Sequence, residues 1–143
     1  MDEFVWQDAY RIDNETIDAE HRHLFDLANR VIHFRASGER LGSVRQAVIA
    51  LYNYIKTHFA HEEACMAQAA YPGLPAHRVL HEAIIYEMNE ILRGSTEIDV
   101  LVYKLKRLMQ SWVIDHIQEA DRQIGDFLRQ RPPTAAPVSG ADN

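Results

Sequence analysis

The stretch His77-Arg78-Val79-Leu80-His81-Glu82-Ala83-Ile84-Ile85-Tyr86-Glu87-Met88-Asn89-Glu90-Ile91 decides the fold. His77, Leu80, His81, Ile84, Met88 and Ile91 recur at three- and four-residue steps, the spacing of one helical stripe. No Gly or Pro interrupts it, and breakers stand at both ends: Tyr71-Pro72-Gly73-Leu74-Pro75 before and Arg93-Gly94-Ser95 after. The segment is therefore a helix with a core-facing side, and that side carries two histidines.

Working outward, the same punctuation isolates three more segments. Ser37-Gly38 and Gly42 separate a first from a second, and Pro132-Pro133 ends the fourth; only Gly125 lies inside a segment. The first has Ile17, His21, Leu24, Ala28 and Val31 in phase, with Thr16 as the expected N-cap and Asp18 and Glu20 in the first turn. The second has Val44, Val48, Leu51, Ile55, His58, Glu62 and Cys65; the fourth has Leu101, Leu105, Leu108, Trp112 and His116. Four long helices with short connections predict an all-α, up-down-up-down four-helix bundle. It occupies residues 1–131, including an apolar arm (residues 1–15, with Phe4, Trp6, Tyr10 and Ile12). Residues 132–143 have the composition of a flexible tail or linker.

Composition narrows the function. The chain has 143 residues, a length for one domain, and a net charge of −6, which excludes the basic surface that nucleic acid or an anionic membrane needs. There is no membrane-length apolar run, no basic secretion start and one cysteine, Cys65, so the expected compartment is the cytoplasm. Eight histidines beside three lysines need an explanation.

His21, His58, Glu62, His77, His81 and His116 lie on the stripes that should be apolar. Burying ionisable groups is unfavourable unless they are paired or bound to metal. One such histidine is ordinary core packing, and one i,i+4 pair is a weak metal signal. Five with a carboxylate, spread over four helices and including the pairs His58/Glu62 and His77/His81, point to metal. His23, His33 and His61 fall off the stripes and are expected at the surface. Cys65, a turn beyond Glu62, is expected to face inward as a small buried residue.

These residues resemble the hemerythrin family, the bacterial members in particular. The resemblance is carried by Trp6, Ile17-Asp18-Ala19-Glu20-His21, His58-Phe59-Ala60-His61-Glu62-Glu63, Tyr71-Pro72, His77-Arg78-Val79-Leu80-His81, Trp112-Val113-Ile114-Asp115-His116-Ile117 and Asp121. It implies a non-haem di-iron centre. One iron would be held by His77, His81 and His116 and the other by His21 and His58, with Glu62, Asp121 and an oxo or hydroxo group bridging. The second iron keeps an open position, and the implied ligand there is dioxygen, bound reversibly. Nitric oxide and azide-like anions are further small ligands. Phe59, Trp112, Val113 and Ile117 flank the ligands as an apolar oxygen pocket without a proton donor, which favours binding over turnover. Ferritin-like di-iron enzymes use two Glu-x-x-His motifs, whereas this chain has only Glu20 to His23. The expected function is therefore oxygen carriage, storage or delivery, not enzymatic. A sensor module for oxygen, nitric oxide or redox state and a di-iron enzyme are the alternatives.

Two places strain the pattern. His116 and Asp121 are five apart, about 140° around an ideal helix, and spacing alone favours Glu119 at i+3. The apolar phase slips at the same point, from 105, 108, 112, 116 to 117, 121, 124, 128, so one extra residue held in a π turn predicts Asp121 as the ligand. Glu20 and Val113 stand where the family commonly has Gln and Leu. The first would either bring a charge near the open iron or simply be solvated, and the second would ease the access of water.

Overall fold

The computed structural model describes residues 3–130. Helix α1 spans Glu15–Ala36, α2 Leu41–Gln68, α3 Leu74–Gly94 and α4 Ile98–Leu108. The last continues as one rod to residue 130 through a π turn (Met109–Val113), α5 (Ile114–His116), a second π turn (Ile117–Asp121) and α6 (Arg122–Gln130). Each helix packs on its neighbour in sequence, and α1 closes the ring against α4. This is the expected up-down-up-down bundle, and no strand occurs among the described residues. The expected tail, 132–143, lies outside them.

Local chemistry sets the ends. Asn14, not Thr16, caps α1: its side chain accepts from the Ile17 N–H at 3.0 Å, because the helix starts two residues earlier than the apolar phase suggests. The α1 C-terminus closes with Gly38 N–H on Arg35 O and Glu39 N–H on Phe34 O, with Gly38 at φ 78°. The α2 end repeats that pattern with Ala70 at φ 56°, so the turn forms there without the glycine that would have marked it in the sequence.

The arm is fastened by backbone groups. The Asn29 side chain both accepts from Phe4 N–H and donates to Phe4 O, each at 2.8 Å, and buried Asp18 accepts from Ile12 N–H at 2.9 Å. Arg129 donates to Ile12 O and Asp13. The glycine inside the fourth segment makes this seam possible. A Cβ on Gly125 would collide with the Ile12 carbonyl oxygen and lie 2.9 Å from the Ile12 Cβ. Gly→Ala inside a helix normally stabilises by about 1 kcal/mol. Here Gly125→Ala is expected to destabilise by ~1–3 kcal/mol, read as a lower urea midpoint with unchanged m.

Three stripe positions are corrected. Leu80 is 43% exposed, because the inward line of α3 is His77, His81, Ile84, Met88 and Ile91, and Leu80 lies about 100° from His81. Cys65 is half-buried, and Met66 takes the inward place. Trp112 is 41% exposed, and Val113 is buried instead. The π turn at Met109–Val113 adds a residue before the one at Ile117–Asp121, moving the inward register from 112 to 113.

Candidate metal centre

Five histidines and two carboxylates converge in the bundle core, all buried. α1 supplies His21, α2 His58 and Glu62, and α3 His77 and His81. The fourth rod supplies His116 and Asp121. The i,i+4 pairs point inward together as helical spacing requires, and the π turn Ile117–Asp121 swings Asp121 into line with His116. Glu119 is exposed.

Each carboxylate straddles the cluster. Glu62 Oε2 lies 3.3 Å from His21 Nε2 and 3.1 Å from His58 Nε2, while its Oε1 lies 3.2 and 2.9 Å from the Nε2 atoms of His77 and His81. Asp121 Oδ2 is 3.0 Å from His21 Nε2, and Oδ1 is 2.9 and 3.0 Å from His77 and His116. The donors fall into two overlapping groups: Glu62, His77, His81, His116 and Asp121, and His21, His58, Glu62 and Asp121.

The contacts of Glu62 with His21, His77 and His81 are hydrogen bonds, whereas that with His58 and all three to Asp121 are close without being aligned. Neither oxygen of Asp121, nor His58 Nε2, has a partner in hydrogen-bonding geometry although each is fully buried. Unsatisfied buried polar atoms on this scale are unfavourable. Donors aimed at common points rather than at each other fit cations, and imidazole with carboxylate suits iron among other transition metals.

Without metal, the charges set each other. Burial alone would lower the imidazole pKa values, but the adjacent Asp121 and Glu62 carboxylates outweigh it and push His21 up to about 10 and His77 to about 9. His58 is raised too, against burial, mainly by Glu62. Burial would raise the carboxyl values, but the surrounding imidazoles hold Glu62 well below the usual range and Asp121 lower than an ordinary Asp.

Outside the cluster, two further carboxylates hold the rings. His58 Nδ1–H donates to Glu20 Oε1 at 2.6 Å, and Glu20 Oε2 accepts from exposed His61 at 2.7 Å. His81 Nδ1–H donates to Glu63 Oε2 at 2.8 Å, and Glu63 also accepts from Arg78. Occupying Nδ1 fixes the tautomer that leaves Nε2 for metal. Burial disfavours the Glu20 charge, but His58 and His61 reverse this and lower its pKa. Glu63 had no signal in the sequence beyond the rule that a ligand histidine needs an acceptor on its far nitrogen.

Phe59, Val113 and Ile117 are buried in the core, and Phe59 stacks on His81 with ring centroids 3.7 Å apart. Trp112, the fourth expected pocket residue, lines an outer cleft beside His116 instead. From the arm, Trp6 reaches within 6.5 Å of the His21 ring. His23 and His33 are exposed, as expected.

A four-helix bundle whose core holds two overlapping histidine–carboxylate groups defines a class: metal-binding helical-bundle proteins. The hemerythrin HHE cation binding domain matches residues 13–128. The chain belongs to the hemerythrin family, whose domains bind dioxygen at a di-iron centre. It is 28% identical over 125 residues to a bacteriohemerythrin of Stenotrophomonas maltophilia, covering 87% of this chain and 81% of that protein. It is 27% identical to one of Clostridium acetobutylicum, covering 86% of this chain and 99% of that protein. A myohemerythrin of Riftia pachyptila is 25% identical over 118 residues, covering 82% of this chain and 88% of that protein. No helix among the described residues is long and apolar enough to cross a membrane.

Proposed function

We propose that the bundle, residues 1–131, binds dioxygen reversibly for carriage, storage or delivery, with His21, His58, Glu62, His77, His81, His116 and Asp121 as the iron ligands. The observation that carries this reading is the asymmetry of the cluster: three histidines on one side, two on the other, and both carboxylates shared. Two iron ions held there would supply the electrons that dioxygen takes up on binding.

The chain's own residues do the rest. Glu62 and Asp121 each offer one oxygen to either side and neutralise part of the metal charge. Glu20 and Glu63 hold the His58 and His81 rings so that no reorientation accompanies binding. Phe59, Val113 and Ile117 exclude water and carry no proton donor, so the ligand leaves unchanged more readily than it is cleaved.

Anaerobic reduction followed by re-oxygenation, with iron stoichiometry and visible spectrum recorded together, tests the proposal. A spectrum that reverses on removing oxygen supports it. Continuous consumption of oxygen by a reductant would make the protein an enzyme, and iron-free protein would end the reading. Within this proposal, Val113→Leu fills space beside the cluster and is expected to slow loss of the oxygenated spectrum several-fold. An unchanged or faster loss would remove Val113 from the pocket.

A further inference from the structure

Among the described residues, seven large apolar side chains are exposed, and six belong to one helix pair: Val79, Leu80 and Tyr86 on α3, with Val100, Tyr103 and Trp112 on the fourth rod. α1 and α2 expose none. Scattered exposed apolar residues are ordinary, and Tyr86 lines a separate cleft between α2 and α3, so the part of this set that forms one surface is the part along the seam of α3 with the fourth rod. Between the two helices runs a groove in two lobes, about 480 and 160 Å³, that meet at Ser111 and Trp112. Leu80, Tyr103 and Trp112 line it.

The walls of the larger lobe differ in charge. α3 contributes Glu87 and Glu90, and the fourth rod contributes Lys104 and Arg107. Glu87, Lys104 and Arg107 form no ion pair among the described residues, and Glu90 makes only an exposed 3.4 Å contact with Arg93.

We propose that a second copy of this chain docks on this groove, with the two-fold axis running along it. An axis in that direction keeps each copy's groove direction and exchanges its walls, so Glu87 and Glu90 of one copy face Lys104 and Arg107 of the other. An axis across the groove would set acid against acid. The surface is thus self-complementary in only one of the two arrangements, as an isologous interface requires. Trp112, on the fourth rod where the lobes meet, then faces α3 of the other copy and supplies the aromatic anchor typical of such contacts. Docking also closes the smaller lobe, where His116 forms part of the wall. None of this depends on the metal or on the ligand it binds.

Sedimentation equilibrium of the full metal-loaded chain tests the proposal. The expected mass is twice the 16.5 kDa of the chain. The pair Glu87→Lys/Glu90→Lys and the pair Lys104→Glu/Arg107→Glu should each weaken self-association by about 100-fold or more. Mixing the two variants should restore a dimer that holds one of each. A monomeric wild type, variants that dimerise unchanged, or a mixture that stays monomeric would each overturn the proposal.

Discussion

Asp121→Asn is expected to leave the purified protein with at most one iron per chain, while Glu119→Gln keeps both. The two acids stand two residues apart on one rod, and helical spacing alone favours the wrong one. In the structure Asp121 is buried, with one oxygen toward His21 and the other toward His77 and His116, whereas Glu119 faces solvent. Asn keeps the shape but turns one of those oxygens into an NH2 group, which cannot ligate and competes with metal for the Nε2 lone pairs beside it. One metal position then loses a donor and the other loses charge compensation. On the proposed ligand set, removing a carboxylate shared by both metal positions costs at least the 10–100-fold in affinity seen for outer partners of metal ligands. Iron analysis after gel filtration reads the difference. A Glu119→Gln protein stripped of iron, beside an intact Asp121→Asn, would reassign the ligand and with it the role of the π turn.

That π turn shows how far the sequence could be read. Its presence was legible because His116, Asp121 and the apolar phase all required one extra residue at the same place. The turn at Met109–Val113 left no such mark: no ligand pair brackets it, so the slip from Leu108 to Val113 was absorbed by placing Trp112 inward. Leu80 misled for a related reason, since it is a good apolar match one position from His81 and nothing local reports which flank the neighbouring helix covers. The seven candidate ligands stood out because histidine and carboxylate on a core stripe contradict its burial. Glu63 did not, and Glu20 was marked only as a charge near the site and not as the partner of His58, because both reach across helix seams and sequence spacing carries no register between helices. Gly125 was visible as an anomaly, but its reason, the Ile12 carbonyl, lies 113 positions away in the chain.

The metal-free and metal-loaded proteins are expected to respond to pH in opposite directions. In the metal-free state His21 and His77 titrate near 10 and 9 instead of 6.5, because the Asp121 and Glu62 carboxylates outweigh the burial that opposes their charge. A raised histidine value contributes stability that is complete below pH 6.5 and is lost as the pH rises through the folded values. Glu62 and Asp121 are depressed, so their contribution is present above the ordinary carboxylate range and is lost as the pH falls through their folded values. Between these limits lies a maximum at about pH 5–6.5. From pH 6.5 to 10 the metal-free Tm should fall by ~10 °C or more, several kcal/mol spread over a domain of this size. Metal inverts the slope. It takes the Nε2 positions that protons would hold, and protons compete with it, so loading strengthens as the pH rises over the same window. Calorimetry of both forms, under anaerobic conditions for the loaded one, measures the two slopes. Asp121→Asn should flatten the metal-free slope, since one of the two carboxylates that raise His21 and His77 has lost its charge. Parallel slopes for the metal-free and loaded proteins would mean that the imidazoles are neutral without metal, and that the unaligned contacts around Asp121 are not held together by charge.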